Sequence, residues 1–186
     1  MSPRYELREE ALSVENRACR EAGVLALLLP SDDIPSVVLT VRREELTDHG
    51  GQISFPGGAR EAGESLRDTA LREAYEEIDL APQSVRILGG LTPLYIPPSN
   101  FCVHPFVGVV HSAPVLRPTD REVAEVFHAP LHHLLDPDAR LVETWTLHER
   151  AVDVPYYDVA GRTVWGATAM MLSELLALVE DAGLPQ

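Results

Sequence analysis

Residues 58–80, GAREAGESLRDTALREAYEEIDL, decide the fold of this chain because they predict a helix that packs on a core. Ser65 suits the N-cap of that helix, and Asp68, three residues later, is a weaker form of the capping-box partner. Asp79 and then Pro82 predict its end. The apolar positions recur at helical spacing and form one core-facing stripe, made by Leu66, Ala70, Leu71, Ala74 and Ile78.

Three glutamates, Glu73, Glu76 and Glu77, stand beside this apolar stripe. Their i, i+3 and i+4 spacing places three carboxylates within about 100° of arc on one exposed face of the helix. Carboxylates this close repel one another unless a cation neutralises them. Oxygen ligands with room left for water suit Mg²⁺ or Mn²⁺, which also take up substrate phosphates. For the cluster taken alone, the alternative is a glutamate-rich face that is simply solvated.

The spacing around the glutamates extends the pattern over the whole stretch. Gly58 is followed after five residues by Glu64, and after seven more by the run from Arg72 to Leu80, REAYEEIDL. This arrangement closely resembles the Nudix box, G-x5-E-x7-R-E-U-x-E-E-x-G-U, in which U is a bulky apolar residue. Asp79 departs from it, since the family usually has glycine there, and Ala74 is smaller than the usual U residue. Asp tolerates the left-handed conformation better than most residues, so the substitution is compatible with activity.

The Nudix resemblance implies a role for each matching residue. Arg72 orients Glu73 through a charge-assisted hydrogen bond, and Glu73 is one candidate for the general base. The implied reaction is hydrolysis of a nucleoside diphosphate linked to another group, with two or three Mg²⁺ or Mn²⁺ ions that polarise the phosphoryl oxygens. Glu64 would lie in the outer shell of the metal site or pair with the helix. The implied metal-site residues are Glu73, Glu76, Glu77, Glu64 and the carbonyl of Gly58.

A second resemblance, upstream of the box, is to the coenzyme A pyrophosphatase branch of the family. That branch has the approximate pattern L-L-T-x-R-[SA]-x3-R-x3-G-x3-F-P-G-G, and here Arg42, Gly51 and the FPGG run at residues 55–58 match it. Arg43 replaces the small residue, and Thr47 replaces the second arginine. Further similar segments extend the resemblance over roughly residues 22–180: Pro105 to Gly108, Glu122 to Leu131 and Trp165 to Ala169.

This branch resemblance implies that the substrate is coenzyme A or an acyl-CoA, cleaved to 3′,5′-ADP and (acyl-)4′-phosphopantetheine. The candidate substrate-binding residues are Arg42, Arg43, His49 and Gly57. Coenzyme A carries a 3′-phosphate, to which Thr47 offers one neutral hydroxyl where an arginine would fork two hydrogen bonds. Arg43 supplies the missing charge only if it faces the site, because adjacent residues of a strand point to opposite faces.

Two alternatives stay open beside coenzyme A hydrolysis. The first is a pyrophosphatase that acts on ADP-ribose or NADH-type dinucleotides by the same hydrolysis. It stays open because Thr47 replaces the second arginine of the coenzyme A pattern. A Nudix module that binds a nucleotide without cleaving it is an alternative of another class. The presence of all three glutamates together with Arg72 favours the enzyme.

Glu122 is a further carboxylate of interest, at the boundary between a loop and an apolar strand. The resemblance to the coenzyme A branch implies a glutamate here that binds a third metal ion or acts as the base, and an ordinary surface glutamate is the alternative. Asp120 and Glu125 are weaker candidates. His49 precedes the turn at Gly50 and Gly51, where it either touches substrate or supports the loop.

The rest of the chain predicts a single domain, residues 1–186, with an α/β fold. Strands with helices before, between and after them indicate an α/β/α sandwich, and the Nudix resemblance implies a mixed β-sheet. Residues 5–21 predict an amphipathic helix, so that residues 1–21 form an N-terminal helical extension. Apolar runs predict strands at residues 24–29, 37–42, 85–91, 103–111 and 123–127, a helical turn at 131–135, a hairpin of 141–148 and 152–159, and a last helix at 167–181.

Composition and charge limit the kinds of partner. The net charge of −14 argues against binding to nucleic acid or anionic membranes, which need basic surfaces. No apolar run approaches the length of a spanning helix, and the charged first 21 residues lack the pattern of a signal peptide. We therefore expect a cytoplasmic protein with a small-molecule nucleotide substrate, and a homodimer stays open. Cys19 and Cys102 are expected to be reduced thiols.

Overall fold

The structure is a computed structural model that describes residues 12–31, 35–45, 50–119, 122–147 and 150–183. Two short 3-10 helices, Pro82–Ser84 and Pro137–Ala139, stand before the fifth and ninth strands. The strands and α-helices follow in this order: β1 (Arg20–Leu29), β2 (Ser36–Arg42), β3 (Ile53–Ser54), β4 (Gly57–Ala59), α1 (Leu66–Ile78), β5 (Val85–Gly90), β6 (Leu94–Ile96), β7 (Phe101–Val110), β8 (Val123–Pro130), α2 (Leu131–Leu135), β9 (Arg140–Leu147), β10 (Arg150–Val159), β11 (Arg162–Trp165) and α3 (Gly166–Asp181).

A mixed sheet forms the centre of the described chain. Its main path runs β3-β2-β1-β7-β5, while β4 also pairs with β1, β6 with β7 and β8 with β2. Strands β1 and β7 are parallel, with Arg20 beside Phe101 and Leu28 beside Val109. The other pairs of this sheet are antiparallel. Strand β1 is largely buried, because a strand covered on both faces needs apolar residues on both sides.

Each face of this sheet has its own apolar core, one under α1 and one under α3. Alternate residues of β1 divide between the two, so that Leu25 and Leu27 join the α1-side core and Ala26 joins the α3-side core. The predicted α/β/α sandwich with a mixed sheet is therefore confirmed. Among the described residues, no helix combines the length and apolar character that crossing a membrane requires.

Helix α1 has the caps that the sequence predicts. Ser65 Oγ accepts the N–H of Asp68 at 3.2 Å, and the Ser65 hydroxyl donates to the Asp68 carboxylate at 2.7 Å. At the other end, Asp79 adopts the left-handed conformation, with φ of 59° and ψ of 31°. Its N–H donates to the carbonyl of Tyr75 at 3.1 Å. An aspartate thus takes the position that glycine occupies in most such helix ends.

Strands β9, β10 and β11 form a second, antiparallel sheet within the described residues. The predicted hairpin is confirmed, since Trp145 of β9 pairs with Val152 of β10. Ala160 and Gly161, both with positive φ, make the two-residue turn from β10 to β11 that suits the twist of paired strands. Thr168 of α3 donates to the carbonyl of Ile53 at 3.0 Å, which ties this C-terminal region to β3.

The N-terminal region differs from its prediction. The expected helix over residues 5–21 is wrong from residue 13 onward, and residues 1–11 of the expected extension lie outside the described residues. Ser13 Oγ accepts the N–H of Glu15 at 3.2 Å, and Asn16 is left-handed with φ of 56°, so a local turn replaces the helix. Arg20 and Glu21 belong to β1, because pairing with β7 outweighs the helical pattern of the segment.

Cys19 and Cys102 form a disulfide, which corrects the expectation of reduced thiols. Cys19 stands directly before β1, and the parallel register places Glu21 beside Cys102. The Cα atoms of the two cysteines are 5.8 Å apart, within the usual range for a disulfide. Because 83 residues separate the two cysteines along the chain, their proximity could not be predicted from the sequence.

Candidate active site

Two glycines of β4 bring that strand into contact with the carboxylates of α1. The N–H of Gly57 donates to Glu77 Oε2 at 3.1 Å. A Cβ atom added at Gly58 would lie 2.6 Å from the carboxylate carbon of Glu73. A side chain at Gly58 would therefore displace Glu73, and one at Gly57 would force β4 away from β1, since its Cβ would lie 2.5 Å from the carbonyl oxygen of Gly23.

The three glutamates of α1 differ in burial, which corrects the expectation that they share one exposed face. Glu77 is only 8% exposed, because it lies where α1 meets β4. The side chain of Glu73 is 18% exposed, and that of Glu76 is 52% exposed. The carboxylates therefore lead from the interior at Glu77 out to solvent at Glu76.

Arg72 binds these carboxylates from within the same helix. Its Nη1 donates to Glu73 Oε1 at 2.9 Å and to Glu76 Oε2 at 3.2 Å. Its Nη2 donates to the carbonyl of Ala59 at 3.0 Å, which joins the guanidinium to β4. Hydrogen bonds to Glu64 and then to Glu73 raise the pKa of Arg72 above its usual range, so this side chain stays charged.

Glu64 faces Arg72 and the start of α1. It accepts from Arg72 Nε at 3.1 Å and Nη2 at 2.9 Å, from Thr69 Oγ1 at 2.8 Å and from the N–H of Glu61 at 2.7 Å. The hydrogen bond to Arg72 is the main reason that the pKa of Glu64 falls to about 2. These contacts match the second of the two positions expected for Glu64, pairing with the helix, and its role in a metal site stays a prediction.

The surroundings of Glu73 raise its pKa, whereas those of Glu64 lower the pKa of that side chain. Burial raises the pKa of Glu73, and repulsion from the carboxylates of Glu76 and Glu122 adds to the rise, while Arg72 opposes it. In the protein without a bound cation, these surroundings therefore destabilise the charged form of Glu73. A cation bound beside these carboxylates would remove that penalty.

Glu122 reaches the same region from the loop that precedes β8. Arg42 Nη1 donates to Glu122 Oε2 at 2.8 Å, and the N–H of Arg43 donates to the carbonyl of Glu122 at 2.8 Å. The β2–β8 register shifts between Val41 and Arg42, which is a bulge of the kind that re-aims side chains at the end of a sheet. The structure thus pairs Arg42 with Glu122, and it places the Glu122 carboxylate near enough to that of Glu73 for the two to repel each other.

The segment before Glu122 is bound to the C-terminal end of α1. The N–H of Thr119 donates to the carbonyl of Glu77 at 3.0 Å, and its hydroxyl donates to the carbonyl of Glu76. Arg117 donates twice to Asp79 Oδ2, at 3.0 Å from Nε and 2.8 Å from Nη2. These contacts hold Arg117 and Thr119 against the helix. The sequence analysis missed Arg117 and Thr119, and Asp79 in place of glycine was the one signal that pointed to them.

Comparison with known proteins decides the family. Residues 20–146, more than half of the chain, match the family model described as the NUDIX domain. The chain belongs to the Nudix family. A protein of Pectobacterium atrosepticum described as an uncharacterized Nudix hydrolase NudL is 35% identical over 169 residues, which cover 87% of this chain and 84% of that protein.

Solved Nudix structures share the fold. The Nudix hydrolase RenU from M. smegmatis superposes with a TM-score of 0.61 at 17% identity, covering 94% of this chain and 96% of that one. A C. elegans Ap4A hydrolase superposes with a TM-score of 0.59 at 13% identity, covering 87% of this chain and 98% of that one. At these identities the likeness concerns the fold alone, and it confirms the Nudix-type sandwich.

Family membership also fixes the class of reaction. This Nudix protein is a hydrolase of phosphorus-containing acid anhydrides, and it acts as a pyrophosphohydrolase on nucleoside diphosphate derivatives. Nudix hydrolases generally use divalent metal ions. The carboxylates of the Nudix helix and of Glu122 fit such an ion, because they are oxygen donors and because burial of Glu73 disfavours the charge of that side chain.

Among the described residues, the glutamates of α1 do not form a preformed metal site. In the described ranges, no three histidine, cysteine, aspartate or glutamate side chains meet in a geometry that could hold a metal ion. The reason is that Glu73 and Glu76 bond to Arg72 while Glu77 bonds to Gly57.

The other residues expected in the Nudix site have different surroundings. Glu125 lies on the opposite side of the sheet, where it bonds to Arg162 at 2.8 Å. Arg43 joins the site through its backbone contact with Glu122. Three positions lie outside the described residues: Thr47, His49 and Asp120.

We expect Glu64 to make the stability of the metal-free protein depend on pH. Its pKa is lower in the folded protein than in the unfolded chain, so its contribution is complete above about pH 5 and is lost as the pH falls toward 2. After allowance for solvent screening the contribution is about 1–2 kcal/mol. Urea unfolding in EDTA should show Glu64→Gln less stable than the wild type at pH 7 and nearly equal to it at pH 2.5.

Glu61→Gln is the matched control, because it removes one charge from the same loop and leaves the N–H that Glu64 accepts. A gap between Glu64→Gln and the wild type that stays constant from pH 7 to pH 2.5 would contradict the assignment.

We expect alanine at position 79 to destabilise the protein more than glycine does. Both substitutions remove the bond to Arg117, whose side chain is 72% exposed, so that loss costs about 0–1 kcal/mol. Only alanine meets the left-handed backbone with a Cβ and no compensating polar group, which costs about 1–2 kcal/mol more. Urea unfolding of the two variants measures the difference directly, with Arg117→Ala as the control for the ion pair. Equal stabilities would show that the backbone conformation is not the constraint at this position.

Proposed function

We propose that this enzyme hydrolyses the pyrophosphate of coenzyme A or acyl-CoA and releases 3′,5′-ADP and (acyl-)4′-phosphopantetheine. The observation that carries the proposal is the hydrogen bond between Arg42 and Glu122, 2.8 Å long. Arg42 is the arginine that matches the coenzyme A pattern, and this bond puts its guanidinium beside the carboxylate cluster. An arginine there is suited to bind a phosphate of the substrate, since its guanidinium forks two hydrogen bonds onto phosphate oxygens.

The accessibility of Arg42 supports this role. Its side chain is 34% exposed, and its partner Glu122 is 53% exposed, so a phosphate can reach the guanidinium from solvent. The ion pair also neutralises Arg42 while no substrate is bound. In a protein with a net charge of −14, a local arginine is what an anionic substrate needs near the reaction centre.

The residues of the Nudix motif and Glu122 would bind the metal ions, position the carboxylates and accept the proton of the attacking water. Two or three Mg²⁺ or Mn²⁺ ions would polarise the phosphoryl oxygens and lower the pKa of the attacking water. The residues that would hold them are Glu73, Glu76, Glu77 and Glu122, together with the Gly58 carbonyl. Arg72 fixes the positions of Glu73 and Glu76 through its two Nη1 hydrogen bonds. Glu73 and Glu122 are the two candidates to accept the proton of the water.

A dinucleotide pyrophosphatase acting on ADP-ribose or NADH is the second candidate. The observation that favours it is Thr47, because the coenzyme A branch has an arginine there and coenzyme A carries an additional 3′-phosphate. Loss of one charge-assisted hydrogen bond to that phosphate would weaken coenzyme A binding by about 1.5–3 kcal/mol.

A substrate panel tests the proposal. The purified protein is incubated with Mg²⁺ or Mn²⁺ and, separately, with coenzyme A, acetyl-CoA, dephospho-CoA, ADP-ribose and NADH, and the products are resolved by mass. We expect 3′,5′-ADP with 4′-phosphopantetheine, at a higher kcat/KM for coenzyme A than for dephospho-CoA. AMP from ADP-ribose or NADH with coenzyme A left intact would replace the proposal by the second candidate. No product from any compound would favour the non-catalytic module.

A further inference from the structure

A cavity lies on the side of the sheet opposite α1. It has a volume of about 520 Å³ and opens between the end of β2, the segment before β3, and the sheet of β9, β10 and β11. This size is within the range of small-molecule sites. The side chains that define it are Val41, Gln52, Glu125, Trp145, Arg162 and Trp165. We call it the tryptophan pocket.

The aromatic wall of the tryptophan pocket is held in a fixed arrangement. The rings of Trp145 and Trp165 meet edge to face, with 5.3 Å between centroids. Trp145 also stacks on Tyr156 at 5.8 Å. Glu143 accepts from Trp145 Nε1 at 3.1 Å and from the Tyr156 hydroxyl at 2.9 Å, so one carboxylate orients both rings. Rings fixed in this way offer a flat stacking surface that needs little ordering when a ligand binds.

Polar groups of opposite charge form the other wall. Arg162 Nη2 donates to Glu125 Oε1 at 2.8 Å, and its guanidinium lies 4.9 Å from the centre of the Phe127 ring. Both charged side chains remain partly accessible, 37% for Arg162 and 47% for Glu125. A donor and an acceptor next to an aromatic surface match the edge of a heteroaromatic ring that carries both acceptor nitrogens and an amino group.

The tryptophan pocket and the carboxylate site meet at the end of β2. Val41 lines the pocket and packs on the α3-side core, whereas Arg42, the next residue, bonds to Glu122 near Glu73 of α1. The N–H of Arg42 donates to the carbonyl of Gln52 at 2.9 Å, and the N–H of Gly51 donates to the carbonyl of Arg42 at 3.0 Å. The backbone beside the phosphate-binding candidate Arg42 is therefore bonded to the segment that forms the pocket.

We propose that the tryptophan pocket binds the purine base of the nucleotide substrate, by stacking on Trp145 and by hydrogen bonds to Arg162 and Glu125. The inference rests on the proposed function for the nature of the substrate and adds the site of its base. One nucleotide then reaches around the end of β2, with its base on the α3 side of the sheet and its phosphates beside Arg42 on the α1 side.

Intrinsic fluorescence tests this directly, because the chain has two tryptophans and both line the pocket. The full protein in EDTA is titrated with 3′,5′-ADP, and in parallel with ribose 5-phosphate and 4′-phosphopantetheine. We expect saturable quenching by 3′,5′-ADP and none by the two compounds without a base. No quenching by 3′,5′-ADP, or equal quenching by ribose 5-phosphate, would overturn the proposal.

Substitutions separate stacking from a structural role of Trp145. By calorimetry, Trp145→Ala should weaken 3′,5′-ADP binding about 5- to 100-fold, while Trp145→Phe, which keeps an aromatic face, should recover most of the affinity. Val142→Ala is the matched control, because Val142 is exposed on the same strand and points to its other face. Unchanged binding by Trp145→Ala, or equal weakening by alanine and phenylalanine, would show that the pocket does not stack a base.

The two proposals fail in different ways. Hydrolysis of coenzyme A by the wild type without any fluorescence response to 3′,5′-ADP would leave the proposed function standing and remove the base site. A response to 3′,5′-ADP that depends on Trp145, in a protein that cleaves no coenzyme A, would keep the base site and remove the proposed function.

Discussion

Replacing Glu77 by glutamine should lower kcat at least about 10³-fold with Mg²⁺ or Mn²⁺ as the added ion. Glu77 is the most buried carboxylate of the Nudix helix, at 8% exposed, and its charge is the property that the substitution removes. Loss of one metal-binding carboxylate removes several kcal/mol of charge stabilisation, and about 4 kcal/mol corresponds to about 10³ in rate. Steady-state kinetics on the best compound of the substrate panel measures the effect.

This substitution is informative because it keeps the local fold. Glu77 accepts the N–H of Gly57 at 3.1 Å, and the amide oxygen of glutamine can accept the same bond. Circular dichroism and urea unfolding should therefore show a folded variant. Calorimetry with Mn²⁺ should show weaker metal binding, which a purely structural role of Glu77 would leave unchanged. Glu180→Gln, on the exposed surface of α3, is the control for loss of one charge. Turnover by Glu77→Gln close to that of the wild type would refute the metal-site assignment.

Replacing Gly57 by alanine should destabilise the protein by about 3–5 kcal/mol. A Cβ atom there would lie 2.5 Å from the carbonyl oxygen of Gly23 and 2.6 Å from Cα of Val24, and both are backbone atoms of β1 that a side-chain rotation cannot move away. Gly57 also has a φ of 153°, a conformation that residues with a Cβ rarely adopt. Steric overlap and backbone strain each cost about 1–3 kcal/mol. Urea unfolding measures the sum.

Gly161→Ala separates the two contributions to that loss. Gly161 also has a positive φ, 79°, but a Cβ there would meet nothing within 4 Å. Its substitution should cost about 1–2 kcal/mol, the part due to the backbone alone. A loss for Gly57→Ala no larger than that for Gly161→Ala would mean that β4 can move away from β1. It would also weaken the argument that Gly57 holds Glu77 in place.

The features that the sequence predicted well are those that depend on neighbours in the chain. Ser65 and Asp68 are three residues apart, so their reciprocal capping follows from helical geometry alone. The contact between Arg72 and Glu73 followed from the Nudix resemblance and not from the helix, because adjacent residues of a helix do not face each other. Apolar runs predicted the longer strands of the central sheet, β1, β2, β5, β7 and β8, but not the short strands β3, β4 and β6. Burial of Glu77 could not be seen, since it depends on how closely β4 approaches the helix.

The features that the sequence did not predict depend on register between distant segments. Cys19 meets Cys102 only because β1 and β7 pair in parallel in one register. Arg117 meets Asp79, and Trp145 meets Trp165, through loops and strands whose relative placement no local pattern encodes. The N-terminal error has the same origin, since Arg20 and Glu21 fit a helical pattern but are held in β1 by β7.

The division of the sheet into two faces has a consequence for how this protein can change over evolution. The carboxylates of α1 rest on the α1-side core, and the tryptophan pocket rests on the α3 side together with β9, β10 and β11. Substitutions that share no partners combine additively. Changes around Trp145 or Arg162 can therefore accumulate without disturbing Glu73 or Glu77. If the tryptophan pocket binds the base as proposed, one Nudix helix would serve a succession of different substrates while the opposite face of the sheet changes.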